Sequence, residues 1–133
     1  MIEAFIELPT GNVVAPRPTV TVIVAGLDNL PLACLADSGS LHNRMPSYLA
    51  EEAGIELEGV PEQIALAGAH LESWMVDAVP LEAGGVAWTA PVSFCAPWPE
   101  DFPLILGQEG FFRHFVVTIR AADYLIEYIP EEK

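Results

Sequence analysis

Basic residues are scarce in this chain, which has only 5 lysines and arginines against 19 acidic residues and a formal net charge of −14 at pH 7. A protein that binds nucleic acid needs a basic surface to neutralise the phosphates. An anionic membrane surface attracts the same kind of basic surface. We therefore expect neither a nucleic-acid partner nor a membrane partner.

Cysteine and long apolar runs are also scarce. The two cysteines, Cys34 and Cys95, both lie inside apolar segments, which favours buried free thiols. The first residues lack the basic flank and apolar core of a signal peptide. Apolar stretches of the roughly 20 residues that span a membrane are missing from the sequence. We therefore expect a cytoplasmic protein.

The sequence lacks the usual motifs for metals, cofactors and serine nucleophiles. His42, His70 and His114 are far apart, without the spacing of a metal site. The pattern Gly-x-Ser-x-Gly and a glycine-rich phosphate-binding loop are both missing. We therefore expect no metal and no cofactor.

Apolar residues and turn residues are abundant. Hydrophobic residues make up 52% of the 133 residues and charged residues 18%, so the chain can bury a core as a single domain over residues 1–133. Twelve prolines and ten glycines without a short repeat indicate many short segments separated by turns. This pattern predicts an all-β fold.

The pattern of β-branched and apolar runs predicts strands that are bounded by turn residues. These strands are Ile2–Leu8, Thr19–Val24, Pro31–Ala36, Gln63–Leu66, Leu71–Leu81, Val86–Cys95, Pro103–Leu106, Phe115–Ile119 and Tyr124–Ile129. Turns are predicted at Pro9–Asn12 and Leu27–Leu30, and a brief extended segment at Leu41–Met45. The tail Glu131–Lys133 is expected to be frayed.

One main helix is predicted over Pro46–Ala53, because proline suits the first helical position and Gly54 suits the position after the end. Either Tyr48 or Leu49, together with Ala53, would form the buried face. A second, short helix is predicted over Gln108–His114, with Phe111, Phe112 and Phe115 packing inward.

The most informative stretch is Pro31–Ser40, in which an apolar run leads to Asp37 and then to Ser-Gly-Ser. A carboxyl group at the end of a buried strand is costly unless it is paired or hydrogen-bonded. Small residues after it allow a second backbone or a substrate to come close. An ordinary turn is the alternative interpretation, because Asp, Ser and Gly all favour turns.

Two segments, about seventy residues apart, resemble the signatures of aspartic proteases. Leu35–Ser40 resembles the hydrophobic-Asp-Thr/Ser-Gly-Ala/Ser signature, and Leu104–Gly107, followed by Phe111 and Phe112, resembles the hydrophobic-hydrophobic-Gly segment with its short helix. The spacing is similar to that of the single-lobed, retroviral type. The resemblance covers about Thr19 to Ile129 and implies a retropepsin-like closed β-barrel, the acid protease fold.

The resemblance also implies roles for individual residues. Asp37 matches the catalytic aspartate, and the active-site loop continues through Ser38, Gly39 and Ser40. Leu106 and Gly107 match the strand end that supports this loop. The hairpin tip matches the flap that folds over the substrate, and its residues are Ala67, Gly68, Ala69 and His70.

Two features depart from the retroviral pattern. Retroviral enzymes commonly carry an arginine after the glycine of the second motif, paired with an aspartate beyond the first. Here those places hold Gln108 and Leu41–His42, so that ion pair is missing. The flap tip has one glycine rather than a glycine-rich run.

Peptide hydrolysis by carboxylates needs two of them, one to accept a proton from water and one to donate to the carbonyl oxygen. The chain has a single Asp-Ser-Gly, and its other aspartates lack the flanking pattern: Asp28, Asp77, Asp101 and Asp123. The second carboxylate is therefore expected from another copy of the chain, around a two-fold axis.

Two functions follow from these residues. The first is a homodimeric aspartic endopeptidase that cleaves a peptide or protein substrate with one Asp37 from each copy. The alternative is a catalytically idle dimer that binds extended peptides or mediates assembly. In the enzyme, the Ser40 hydroxyl is expected to donate a hydrogen bond to Asp37 and to lower the apparent pKa of the pair.

Overall fold

The computed structural model describes residues 1–132, which form twelve strands, one α-helix and two further helical turns. Strands hold 56% of the residues and helices 11%, which confirms the all-β prediction. The helix is α1 (Ser47–Glu52) and the helical turns are Gln108–Phe112 and Ala121–Asp123. The strands are β1 (Ile2–Ala4), β2 (Ile6–Thr10), β3 (Val13–Arg17), β4 (Thr19–Val24), β5 (Leu32–Ala36), β6 (Asn43–Pro46), β7 (Glu62–Leu66), β8 (Ala69–Ala83), β9 (Val86–Ala96), β10 (Leu104–Leu106), β11 (Phe115–Arg120) and β12 (Leu125–Pro130).

Six strands form a closed barrel in the order β4-β5-β10-β6-β9-β8, and pairing of β8 with β4 closes it. Strand β7 pairs with β8 to form a hairpin beside the barrel. Although β10 comes late in the chain, it lies between β5 and β6, parallel to β5 and antiparallel to β6. The predicted closed barrel is therefore present.

The barrel closes around the alternating apolar side chains of its strands. In β4, Val20, Val22 and Val24 are at most 1% exposed, as expected for a β-branched strand with one face in the core. Phe94 and Met45 are fully buried in the same cluster. Burial of each such side chain contributes about 1.5–3 kcal/mol, so this core holds the barrel together.

The main helix is shorter at its start than predicted. Pro46 has extended backbone angles and precedes the helix instead of filling its first position. This proline is also the last residue of β6, paired with Cys95, so the strand continues up to the helix. Leu49 and Ala50 form the buried face, whereas Tyr48 is half exposed.

Outside the barrel, the amino-terminal residues form two separate strands, where the sequence predicted one over Ile2–Leu8. The break is at Phe5, whose N–H donates to the Tyr124 carbonyl at 2.8 Å while its ring contacts the Tyr124 ring. Strand β1 therefore joins the sheet β1-β12-β11, and β2 pairs with β3 as a separate ribbon.

The turn predicted at Pro9–Asn12 is also shorter in the structure. Pro9 and Thr10 belong to β2, and Gly11, with φ of +63°, makes the reversal. A proline is tolerated here because a two-stranded ribbon leaves one side of each strand unpaired.

The segment predicted as a helix over Gln108–His114 is a wide helical turn over Gln108–Phe112, with hydrogen bonds that span five residues. Phe111 and Phe115 are buried as predicted, and Phe112 is partly buried. Trp88 contacts the rings of Phe111 and Phe115 and donates its indole N–H to the Gly110 carbonyl at 2.9 Å. This cluster fixes the segment that follows β10.

The predicted frayed tail is partly anchored, because the Glu131 N–H donates to the His114 carbonyl at 2.9 Å. Lys133 lies outside the described residues. Within residues 1–132, no helix is both long and apolar enough to cross a membrane.

Candidate active site

Asp37 follows β5 directly and lies beside the end of β10. Because β5 and β10 are parallel, with Ala36 opposite Leu106, both strands end at the same edge of the barrel. The Asp37 N–H donates to the Leu106 carbonyl at 2.9 Å. The structure thus brings together the two segments that the sequence separates by about seventy residues.

The Asp37 carboxylate is oriented by its own loop. Its Oδ1 accepts a hydrogen bond from the Gly39 N–H at 3.0 Å, and the Ser40 N–H donates to the Asp37 carbonyl at 3.1 Å. The side chain is half-buried, whereas Ser38 and Gly39 are exposed. None of the ion pairs among residues 1–132 involves Asp37. A fixed, solvent-accessible carboxylate without a cationic partner can accept or donate a proton.

The Ser40 hydroxyl does not bond to Asp37, so this prediction is wrong. Its Oγ donates to the His42 carbonyl at 2.8 Å. Instead of bonding to the carboxylate, the hydroxyl is the donor to a backbone carbonyl two residues further along the chain.

Gln108 holds the loop at the place where the retroviral pattern has an arginine. Its side-chain Nε2 donates to the Ser38 carbonyl at 2.7 Å and its backbone N–H donates to the Ser40 carbonyl at 2.8 Å. The Glu109 N–H donates to the Leu41 carbonyl at 2.9 Å. Three amide–carbonyl hydrogen bonds thus connect the two segments here, and the His42 Nδ1 lies 3.9 Å from the Glu109 carboxylate.

Gly107 allows the two segments to pack closely. A Cβ at this position would lie 2.5 Å from the His42 carbonyl oxygen and 2.7 Å from the Ser40 carbonyl oxygen. Such distances leave no room for any side chain, although the backbone angles of Gly107 are ordinary for other residues. The glycine is required by the close approach of the backbone.

Asn43 is a supporting residue that no pattern in the sequence singled out. Its side chain is fully buried, and its Oδ1 accepts a hydrogen bond from the Gly107 N–H at 2.9 Å. A Cβ at Gly110 would collide with the Asn43 amide group. Asn43 therefore fills the space that Gly110 leaves open, a relation that only the folded chain reveals.

The hairpin tip predicted as a flap is a two-residue turn. Ala67 and Gly68 have φ of +51° and +78°, while Ala69 and His70 already belong to β8. The predicted four-residue tip is therefore too long. Both turn residues are exposed, and a Cβ at Gly68 would meet nothing within 4 Å.

A cavity of about 590 Å³ lies away from Asp37. It opens at the seam of β4 and β8, where Ile23, Leu81 and Trp88 contribute to its lining. Residues of the Asp37 loop do not line it. Within residues 1–132, no group of three or more His, Cys, Asp or Glu side chains could hold a metal ion.

Two of the described residues that have clear pKa shifts, Cys34 and Tyr128, are structural groups. Burial, with a smaller contribution from the charge of Glu3, raises the pKa of the Cys34 thiol to about 12. Burial, followed by the hydrogen bond to Glu3, raises the pKa of the Tyr128 hydroxyl well above its usual range. Cys34 therefore stays protonated near neutrality and cannot act as a thiolate nucleophile.

Comparison with known protein-family models finds no match for this chain, and comparison with curated proteins finds none either.

Proposed function

We propose that the protein is a retropepsin-like aspartic endopeptidase in which Asp37 from two copies of the chain forms the catalytic pair. The observation that carries the proposal is the oriented carboxylate of Asp37, which accepts the Gly39 N–H at 3.0 Å and lies in a loop bonded to the end of β10. A hydrogen bond from Gly39 to Asp37 also occurs in ordinary turns, so the proposal depends on the additional bonds that join the loop to Leu106 and Gln108.

The reaction uses the two carboxylates in opposite protonation states. The charged Asp37 accepts a proton from water, whose oxygen bonds to the peptide carbonyl carbon, while the protonated Asp37 of the other copy donates to the carbonyl oxygen. The nitrogen then takes up the proton that the first Asp37 accepted from water, and the C–N bond breaks while a hydroxyl group of the intermediate returns its proton to the other Asp37. Two carboxylates held close together cannot both ionise, so the pair shares one proton.

The requirement for two copies follows from the single loop in each chain. Exposed Ser38 and Gly39 leave the tip of the loop open to contact with a second loop. A substrate cleft between two copies also agrees with the position of the 590 Å³ cavity, which residues of the Asp37 loop do not line. Because each chain carries a charge of −14, the copies repel each other at long range, and added salt strengthens their association.

A second function, an idle dimer that binds extended peptides without cutting them, is favoured by the short hairpin tip. A two-residue turn with one glycine gives a covering hairpin less freedom than a glycine-rich tip. The edge of such a hairpin can still pair with an extended peptide.

The two functions are separated by digestion of a diverse peptide mixture between about pH 4 and 7, with products read by mass spectrometry. We expect the wild type to cleave and Asp37→Asn to be inactive at every pH, because the amide can neither accept nor donate the proton. Asp77→Asn is the matched control, since Asp77 is exposed on β8, and it should cleave like the wild type. Cleavage by Asp37→Asn at the wild-type rate would exclude the mechanism.

Light scattering tests whether two copies of the chain form a dimer in solution. We expect a dimer that tightens as salt is added. A protein that is monomeric at tens of micromolar and still cleaves peptides would contradict the shared site.

A further inference from the structure

Arg44 lies on the same face of the barrel sheet as Asp37. Side chains of paired residues point to the same side of a sheet, and alternate residues of a strand share a face. Ile105 pairs with Leu35 on one side and with Arg44 on the other. Strand β5 ends at Ala36, and the Asp37 N–H extends its pairing with β10 by donating to the Leu106 carbonyl at 2.9 Å. Because this pairing reaches Asp37, two residues after Leu35, Asp37 continues the face on which Leu35, Ile105 and Arg44 lie side by side.

The register also sets the distance between the two residues. Arg44 is two strands away from Leu35, or about 10 Å across the sheet, and Asp37 is about 7 Å further along from Leu35. The two Cα atoms are therefore on the order of 12 Å apart. An extended peptide rises about 3.3 Å per residue, so a peptide cleaved at Asp37 brings side chains within reach of Arg44 up to about three residues from the cleaved bond.

The guanidinium group of Arg44 is held by hydroxyl groups rather than by an acid. Its Nη1 donates to the Ser93 Oγ at 2.9 Å, and the Ser93 Oγ lies 2.6 Å from the Ser73 Oγ. Ser93 is fully buried and Ser73 is 5% exposed, so this support is rigid. Arg44 itself is half-buried.

Arg44 takes part in none of the ion pairs that residues 1–132 form, although the chain has 19 acidic residues. By contrast, Arg113 pairs with Glu109 and Arg120 pairs with Asp123. A half-buried charge without a counter-ion is unfavourable. A guanidinium group presents several donors in a planar fork that matches a carboxylate.

We propose that Arg44 determines substrate specificity by binding the carboxylate of an aspartate or glutamate side chain within three residues of the cleaved bond. This inference rests on the proposed peptidase function, since Asp37 defines where the peptide lies. The net charge of −14 would by itself attract basic peptides. A preference for acidic residues near the cleaved bond would therefore have a local origin.

The test compares pairs of peptides that differ by one Glu or Gln near the cleaved bond, using the wild type, Arg44→Gln and Arg44→Glu. We expect Arg44→Gln to lower kcat/KM for the Glu peptides by about ten- to a hundredfold, the range of a lost charged hydrogen bond. Rates for the Gln peptides should change less than about threefold. Arg44→Glu should reverse the preference, towards peptides with Lys at the same position.

The matched control is Arg120→Gln, which removes an exposed arginine on β11, and it should leave the Glu-to-Gln ratio unchanged. If Arg44→Gln does not fold, Arg44→Lys keeps the charge without the fork and should show an intermediate preference. The same Glu-to-Gln ratio in the wild type and the Arg44 variant would overturn the proposal, because a purely structural arginine would lower both rates together.

A binding measurement distinguishes failure of the peptidase function from failure of the proposed role of Arg44. If the wild type cleaves no peptide, the proposed peptidase is excluded, and fluorescence anisotropy with the same labelled peptides then decides the role of Arg44. Weaker binding of the Glu peptide to Arg44→Gln, with the Gln peptide unaffected, supports the acidic subsite. Equal binding to both proteins overturns it.

Discussion

The turn at Asp37 and the turn at Ala67–Gly68 are both short, contain glycine and reach the surface, but they are held in opposite ways. The Asp37 loop is bonded to Leu106 and to the Gln108–Glu109 segment. The hairpin tip has open space around Gly68, and β7 is joined to the barrel by its pairing with β8. The backbone of the Asp37 loop is thus held by distant parts of the chain, whereas an added Cβ at the hairpin tip would contact nothing.

Gly107→Ala tests how firmly the Asp37 loop is held, and it should lower the stability of the protein more than the other variants. The added Cβ would meet the carbonyl oxygens of His42 and Ser40 at 2.5 and 2.7 Å, and backbone cannot move aside as a side chain can. We expect the free energy of unfolding to fall by about 4 kcal/mol or more. Urea unfolding followed by tryptophan fluorescence measures it, and a loss below about 1 kcal/mol would show that the loop is not held as described.

Asn43→Ala tests the support beneath the loop and should have an intermediate effect. The substitution leaves the Gly107 N–H without its acceptor and opens a cavity beside Gly110. We expect a loss of about 2–3 kcal/mol in the same unfolding experiment. Asn12→Ala, at an exposed turn residue, is the control and should cost less than about 0.5 kcal/mol. Equal losses in the two variants would exclude the role of Asn43.

Gly68→Ala tests the hairpin tip and should lower the stability of the protein least. The φ of Gly68 is +78°, but nothing lies within 4 Å of an added Cβ. The cost is therefore conformational alone, about 1–2 kcal/mol. Gly59→Ala is the matched control, because Gly59 also has a positive φ of +80° and open space around an added Cβ. It should lower the free energy of unfolding by the same amount. A loss as large as that of Gly107→Ala would show that the tip packs against the rest of the molecule.

The sequence was most informative where local patterns dominate. The β-branched run Thr19–Val24 is β4 with the predicted bounds, and the apolar run before Asp37 is β5 with one residue fewer. The turn between them was also predictable, because Asp28 and Asn29 adopt the positive φ that these residues tolerate.

The sequence was least informative where partners come from distant strands. Asn43 receives its hydrogen bond from Gly107, 64 positions away, and Arg44 bonds to Ser93, 49 positions away. Neither relation leaves a periodic signal. The position of Ser40 directly after the Asp-Ser-Gly signature predicts a hydrogen bond to Asp37, but the His42 carbonyl is the acceptor.

The late position of β10 in the chain sets the order in which the molecule can assemble. During synthesis, β5 and β6 are complete long before Leu104–Leu106 is made, and the gap between them stays open until then. Closing a loop of about seventy residues costs on the order of 4 kcal/mol of chain entropy before any contact repays it. Folding should therefore be slow, and the growing chain exposes two unpaired strand edges that neighbouring chains could bind. The Asp37 N–H can donate to the Leu106 carbonyl only after Leu104–Leu106 has been made, so a shorter chain cannot carry a finished site.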